Sequence, residues 1–382
     1  MEKNNFRKIA TITLFESAVQ WYCFLLYGTA AGTVFNKVFF SQTGNGTTAL
    51  ILSYMSFAIG YIAGPFGAIF FGHIGDRKGR KVTMYASLLM MGISTSIIGI
   101  LPPAASAGVG VVIVLQLMRL AQCFGRGGTW GWRIPFLAAI ILTLIVIRQK
   151  GEMMETEDYK KAQAKLEAEE AEGKKHKVGF IPMVKGYWKT LLLGCGTRWV
   201  DGTFYNIFIV WILSYCINWL GMPLIQTYII TIIACIFKIP FTLFGGWCAQ
   251  KLGNTRTFVI GALASAVLSI PTLKVIELSK GNLAITIIGI VLGWSIAYNL
   301  IWAVISSLWS SYFETEVRYS GISFVYHVPS FLVAGMVPTI CTLLINYGKG
   351  DTIYVGIYST VVALISAACA LALKARHDRG EK

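Results

Sequence analysis

Charge is scarce in this chain of 382 residues. Only 13% of it is Asp, Glu, Lys or Arg, with 18 acids against 33 bases, while 55% is hydrophobic. A mean hydropathy of +0.63 goes with this, and such a composition excludes an ordinary soluble domain. Cysteine pairing is also missing. Cys23, Cys123, Cys195, Cys216, Cys235, Cys248, Cys341 and Cys369 stand singly, mostly inside apolar runs. There cysteine behaves as a small hydrophobe, which argues against a disulfide framework or a metal site. No nucleophile elbow, P-loop or metal-ligand cluster occurs, so neither an enzyme nor a nucleotide-driven pump is expected. The apolar runs lack two-residue alternation, and that excludes a membrane β-barrel.

The runs themselves are long enough, at roughly 18 residues or more, to cross a bilayer as helices. Their pattern predicts helices near 11–34, 49–73, 82–101 and 108–126, then a shorter run at 134–147. A second set is expected near 187–218, 223–248, 256–276, 283–311, 317–346 and 353–373. The stretch 148–186 between the sets is rich in mixed charge and alanine, and reads as a solvated helical linker, with a regulatory surface as the other reading. The domains are therefore an N-terminal transmembrane bundle at 1–147, the linker at 148–186, and a C-terminal bundle at 187–382. The fold class is all-α, a polytopic membrane protein. The first run contains Glu16 and Gln20 and reads as a retained span rather than a cleaved leader. Asn45-Gly46-Thr47 matches a glycosylation sequon, a pattern that arises often by chance.

The formal charge of +15 invites a nucleic-acid reading, but its distribution argues for topology instead. Lys3, Arg7, Lys8, then Arg77, Lys78, Arg80, Lys81, then Lys251, Arg256, and finally Lys374, Arg376, Arg379 and Lys382 fall at alternate turns. The loops between, such as 102–108 and 219–224, hold almost none. By the positive-inside rule both termini lie in the cytoplasm, with the bilayer and no nucleic acid as partner. The densest basic stretch, Gly72-His73-Ile74-Gly75-Asp76-Arg77-Lys78-Gly79-Arg80-Lys81, is expected to be a short aqueous turn. A faded copy, Gly246-Trp247-Cys248-Ala249-Gln250-Lys251-Leu252-Gly253-Asn254, recurs in the second half, as in a duplicated carrier core. Two cytoplasmic termini need an even number of crossings, yet about eleven runs are present. The odd member is 134–147, whose apolar part of about 14 residues spans roughly 21 Å against a hydrocarbon core of roughly 30 Å.

Several motifs in order resemble the metabolite:H⁺ symporter family of the major facilitator superfamily. They are Trp21-Tyr22 with Leu26-Tyr27-Gly28-Thr29-Ala30-Ala31, the stretch 66–101, Trp130-Gly131-Trp132-Arg133-Ile134-Pro135-Phe136-Leu137, and Phe313-Glu314-Thr315-Glu316-Val317-Arg318-Tyr319-Ser320-Gly321. The resemblance covers nearly the whole chain. It implies a two-bundle fold in the cell membrane that carries a small organic acid, shikimate-like compound or betaine with a proton by alternating access. The proton gradient is then the energy source, and no cofactor is implied. Departures accompany it. Where the family has Glu-aromatic-aromatic-Asp this chain has Gln20-Trp21-Tyr22-Cys23, and an expected arginine is Gly64. Between Gly128 and Trp130 roughly 60 residues of the family pattern are missing, including its fifth helix. The N-terminal half is therefore incomplete, and self-association is one way to cover the gap. A degenerate carrier, acting as a membrane interaction or sensor protein, is the alternative function.

An ionisable residue in a span costs about 2.5–3.5 kcal/mol on insertion scales, so each needs a reason. Glu16 lies one turn before Gln20 on the same face and is either the relocated proton carrier or an interfacial cap. Arg198 and Asp201, at i and i+3, either bind an anionic cargo and exchange that bond for a proton, or form a packing ion pair. Arg119 is a further anion or proton-linked candidate, and His327 titrates near neutrality unless packing absorbs it. Tyr27, Tyr205 and Asn299 are cavity candidates by polarity, with Tyr22, Trp211, Tyr298 and Trp302. Lys238, beside Pro240, either snorkels or meets a carboxylate. Gly72, Asp76, Arg77, Gly79, Arg80 and, by family analogy, Arg318 form a candidate cytoplasmic gate, for which plain topogenesis is the competing reading.

Overall fold

Without water to satisfy it, a backbone in lipid must bond to itself, and runs of Leu, Ile, Val, Phe and Ala then fold as helices. The computed structural model describes residues 26–43, 45–78, 80–125, 180–313 and 317–380. Helix α1 covers 26–38 and contains a π-turn at Ala31–Phe35. It is followed by α2 (Gly46–Lys78), α3 (Arg80–Ile100) and α4 (Gly110–Gly125). In the second half come α5 (180–218), α6 (Leu224–Leu252), α7 (Asn254–Leu278), α8 (283–311), α9 (318–347) and α10 (Ile353–Asp378). Among the described residues, seven helices are long and apolar enough to cross a membrane. The run 134–147, Glu16, Gln20 and most of the linker lie outside the described residues.

The basic stretch at 72–81 corrects its sequence reading. It is not a ten-residue turn: α2 stays helical through Lys78 and α3 begins at Arg80. The second copy behaves alike, helical to Leu252 and broken only at Gly253, whose φ of +84° suits glycine. Charged side chains do not stop a helix. The 33 residues of α2 extend about 50 Å, beyond a core of roughly 30 Å, so the charged end continues as helix past the apolar zone. Side chains of the candidate gate residues lie outside those described.

Other helix ends follow local chemistry. Asn45, the sequon residue, accepts the Thr47 N–H at 2.9 Å and so caps α2. Asn282 caps α8 by accepting from Ala284 and Ile285 at 3.1 and 3.3 Å. The α7–α8 and α9–α10 turns both place a Lys-Gly pair, Lys280-Gly281 and Lys349-Gly350, at positive φ. Helix α5 begins at Phe180, inside the expected linker, and kinks at Tyr187.

Close approach between helices uses small residues, the usual device where lipid offers no hydrophobic drive. Ser366 Oγ of α10 donates to Gly196 O of α5 at 2.8 Å and accepts from Val200 N at 3.0 Å. Ser269 of α7 bonds Ser359 of α10. Between the halves, Tyr54 of α2 donates to Ser214 Oγ of α5 at 2.7 Å. A side chain at Gly335 of α9 would strike Tyr61 and Ala58 of α2, so that glycine sets the contact of the two halves. π-turns at Ile207–Trp211 in α5, Val291–Ala297 in α8 and Phe331–Gly335 in α9 interrupt helices of the second half, a feature often found at functional sites.

Candidate functional site

Arg198 and Asp201 share a face of α5 because three residues make nearly one turn. They form a buried ion pair through Nη1 and Oδ2. Asp201 Oδ1 accepts the Tyr298 hydroxyl at 2.5 Å, so the carboxylate is held from α5 and α8 at once. The Arg198 guanidinium lies 4.5 Å from the centre of the Tyr326 ring on α9. Phe204 stacks on Tyr298 at 6.4 Å and 8°. Trp309 Nε1 donates to Thr197 Oγ1 at 2.8 Å, fixing α8 against α5 one residue before the arginine. Tyr205 is buried and within electrostatic reach of Tyr298.

Lys238 of α6 approaches the same tyrosine from its face. Its Nζ stands 4.4 Å from the Trp294 ring centre, 4.9 Å from Tyr298 and 5.0 Å from Trp302. Such contacts stabilise a cation through the negative face of the ring. Asn299 is spent in part on packing: its Nδ2 donates to Lys238 O at 2.7 Å and Thr242 Oγ1 at 2.8 Å. Those bonds tie α8 to α6 beside Pro240, where the helix loses a backbone donor.

Arg119 of α4 is fully buried in the first half. It donates to Gln122 Oε1 at 2.6 Å and Phe57 O at 3.4 Å, and its guanidinium covers the rings of Tyr27 at 4.1 Å and Phe57 at 5.0 Å. Tyr27 in turn bonds Ser56 at 2.5 Å, which also accepts from Gln116 at 2.7 Å. Gly60 makes room: a Cβ there would lie 2.5 Å from Arg119 Nε. Aromatic contacts run from this group towards the second half. Phe57 meets Tyr61 edge-on at 5.4 Å, and Tyr61 is within electrostatic reach of Arg198.

Arg119 and Tyr27 are thus brought together on one side, and Arg198, Asp201 and Tyr205 on the other. His327 stands beside Gly64, where a Cβ would lie 3.1 Å from His327 Nδ1, and its ring meets edge-on at 5.0 Å that of Tyr326, which covers Arg198. The glycine that replaces the family's arginine is what admits the imidazole. A cleft of about 630 Å3 opens elsewhere, where α1, α5 and α9 end, lined by Asn36, Lys37, Asn45, Asn218, Trp219 and Asn346. The buried ions lie apart from it. Sequence reasoning left the aromatic setting of Lys238 unassigned, although the signal was present: Trp294, Tyr298 and Trp302 recur every four residues.

The sequence profile described as the Major Facilitator Superfamily matches residues 125–335. The inner membrane metabolite transport protein YhjE of Escherichia coli is 29% identical, with 98% of this chain and 96% of that protein aligned. The shikimate transporter of the same organism is 27% identical over 96% of this chain and 94% of its own length. The proline/betaine transporter of Salmonella typhimurium is 24% identical, covering 99% and 85%. The alignment of this chain with YhjE spans 435 positions against 382 residues here, so YhjE holds internal residues with no counterpart in this chain. Among solved structures, the D-xylose–proton symporter superposes with a TM-score of 0.65 at 15% identity, over 96% of this chain and 97% of that one. A partially occluded, inward-open form of the E. coli xylose transporter XylE gives 0.68 at 15%, over 97% of each. That identity bears on the fold alone.

Proposed function

Because the chain belongs to the Major Facilitator Superfamily and is therefore a secondary transporter, we propose that it carries a small organic acid or zwitterion together with a proton. The observation that carries this reading is the Arg198–Asp201–Tyr298 group, three buried polar side chains from two helices of one half. A buried ion pair is weak evidence for stability, and in a membrane an intramembrane ion marks a substrate or proton path by default. Protonation of Asp201 releases Arg198, which then has a bidentate fork for a carboxylate. Loss of the proton restores the pair and ejects the cargo. Arg119 and the Phe57–Tyr61 rings supply the facing wall from the first half, so cargo binding couples to the relative tilt of the halves.

The cleft lined by Asn36 and Asn218 supports an entrance at one end, and the basic ends of α2 and α6 support a cytoplasmic position for the other. The protein acts in the inner or plasma membrane with both termini inside. Uptake of radiolabelled shikimate and glycine betaine into right-side-out vesicles, with and without a protonophore, tests the reading. Accumulation that collapses with the proton gradient and in Asp201→Asn is expected. Accumulation indifferent to the gradient removes the proton from the mechanism, and no accumulation of any organic acid or zwitterion removes transport.

A further inference from the structure

Lys238 is an unusual cation. Among the described residues, no oxygen accepts a hydrogen bond from its ammonium, which meets three aromatic faces and lies within the more distant fields of Asp201 and Cys235. Trp294, whose ring it touches, has a buried Nε1 donor without an acceptor, and Arg198 has the same at Nε. Unspent buried donors cost free energy, and they are retained where something else supplies the acceptor. The group linked through Tyr298 and Asp201 therefore holds three kinds of N–H donor. Two cations stand here against the single carboxylate of Asp201, which already accepts from Arg198 and Tyr298. Asn299 Oδ1 is the acceptor left open on the same pair of helices.

A site with excess positive charge and donors to spare suits an anion. The aromatic faces add a second selection. Three rings around one ammonium are what a quaternary ammonium cargo needs, and here the chain's own lysine fills that place. We propose that Lys238, with Trp294, Tyr298 and Trp302, joins the released Arg198 on the carboxylate of the cargo as the specificity site, and that it selects an organic monoanion over a betaine-type zwitterion. Trp294 Nε1 supplies a second donor to that carboxylate, and Asn299 Oδ1 suits a hydroxyl on the same molecule. This rests on the transporter reading but sharpens its cargo, and the two can fail separately.

The test uses purified full-length protein in detergent and in vesicles, with shikimate and benzoate as anions and glycine betaine as zwitterion. Apparent affinities come from the ligand-induced rise in melting temperature. At least one anion stabilises the wild type, glycine betaine does not, and Lys238→Gln weakens the anion roughly tenfold to hundredfold, the worth of a charge-assisted hydrogen bond. Lys238→Arg keeps affinity within a few-fold, and Lys238→Ala empties the aromatic box and admits glycine betaine. Anion affinity unchanged in Lys238→Gln, glycine betaine bound by the wild type as well as the anions, or no response to either anion overturns the inference. Binding that depends on Lys238 without vesicle accumulation defeats the transport reading alone. Accumulation that is indifferent to Lys238→Gln defeats this inference alone.

Discussion

Arg198 and Lys238 are both cations inside apolar helices of one half, made tolerable by opposite means. Arg198 stands on α5, nearly all of whose apolar length is buried inside the protein, and it is neutralised by a carboxylate three residues on. Lys238 stands on α6, little of whose apolar length is buried, and it has aromatic faces instead of a counterion. The deeply packed helix cannot leave a charge unbalanced, because its surroundings cannot relax around it. The peripheral helix can, because a long lysine stem with an ammonium on ring faces demands less of its surroundings. The difference separates a charge that is freed only when its carboxylate lets go from one that is held by ring faces alone.

The severest way to break that contrast is Asp201→Ala. It leaves Arg198 buried without its carboxylate and should cost about 3–5 kcal/mol, read as a fall in thermal stability of the detergent-solubilised protein. The paired change Arg198→Met with Asp201→Leu should recover most of that stability and none of the uptake. If the single variant melts within a degree of the wild type, the pair is not a closed, dry interaction.

Tyr298→Phe is next. It keeps the ring beneath Lys238 but removes the hydroxyl that donates to Asp201, a bond to a charged group worth about 1.5–3 kcal/mol. The expected signature is a roughly tenfold to hundredfold fall in vesicle uptake, since Asp201 is then held from α5 alone. Uptake equal to the wild type would detach the Tyr298–Asp201 bond from transport.

Lys238→Met should alter stability by about 1 kcal/mol or less, because lost cation–π attraction is offset by regained desolvation. A loss as large as that of Asp201→Ala would erase the distinction between the two cations. The smallest effect is expected outside the spans. Asp351 accepts from Lys274 Nζ at 2.7 Å and from Ile353 N at 2.7 Å. These bonds hold its carboxyl below the usual range, first through Lys274 and then through the backbone N–H. A depressed folded pKa stabilises above the ordinary carboxylate range, and that contribution is lost as pH falls through the depressed value. Asp351→Asn should therefore lie slightly below the wild type near neutrality and converge with it in acid, measured as melting temperature against pH. Parallel curves would mean that the bridge contributes nothing in solution, as exposed bridges often do.

Most of the helices were legible in the sequence, because a long apolar run in lipid has only one way to satisfy its backbone. Helices α8 and α9 fall within a residue or so of their expected bounds, at 283–311 and 318–347. The turn at 72–81 was misread because charge marks where the apolar zone ends and a helix ends only where its backbone bonding does. The Arg198–Asp201 pair was legible from its spacing. The third partner was not, since Tyr298 lies 97 positions away and its hydroxyl is aimed by the packing of α8 on α5. Gly64 read as a missing arginine, and only the neighbouring helix shows that the space goes to His327.

Composition and periodicity by themselves determined a helical membrane protein, the bases that orient it and the few ions its spans admit, because those properties follow from transfer free energies along one chain. Which of those ions meet was decided by tertiary structure. The reason is that a buried charge takes its character from atoms within a few ångströms, and for Lys238 those atoms belong to a helix more than 50 residues away along the chain.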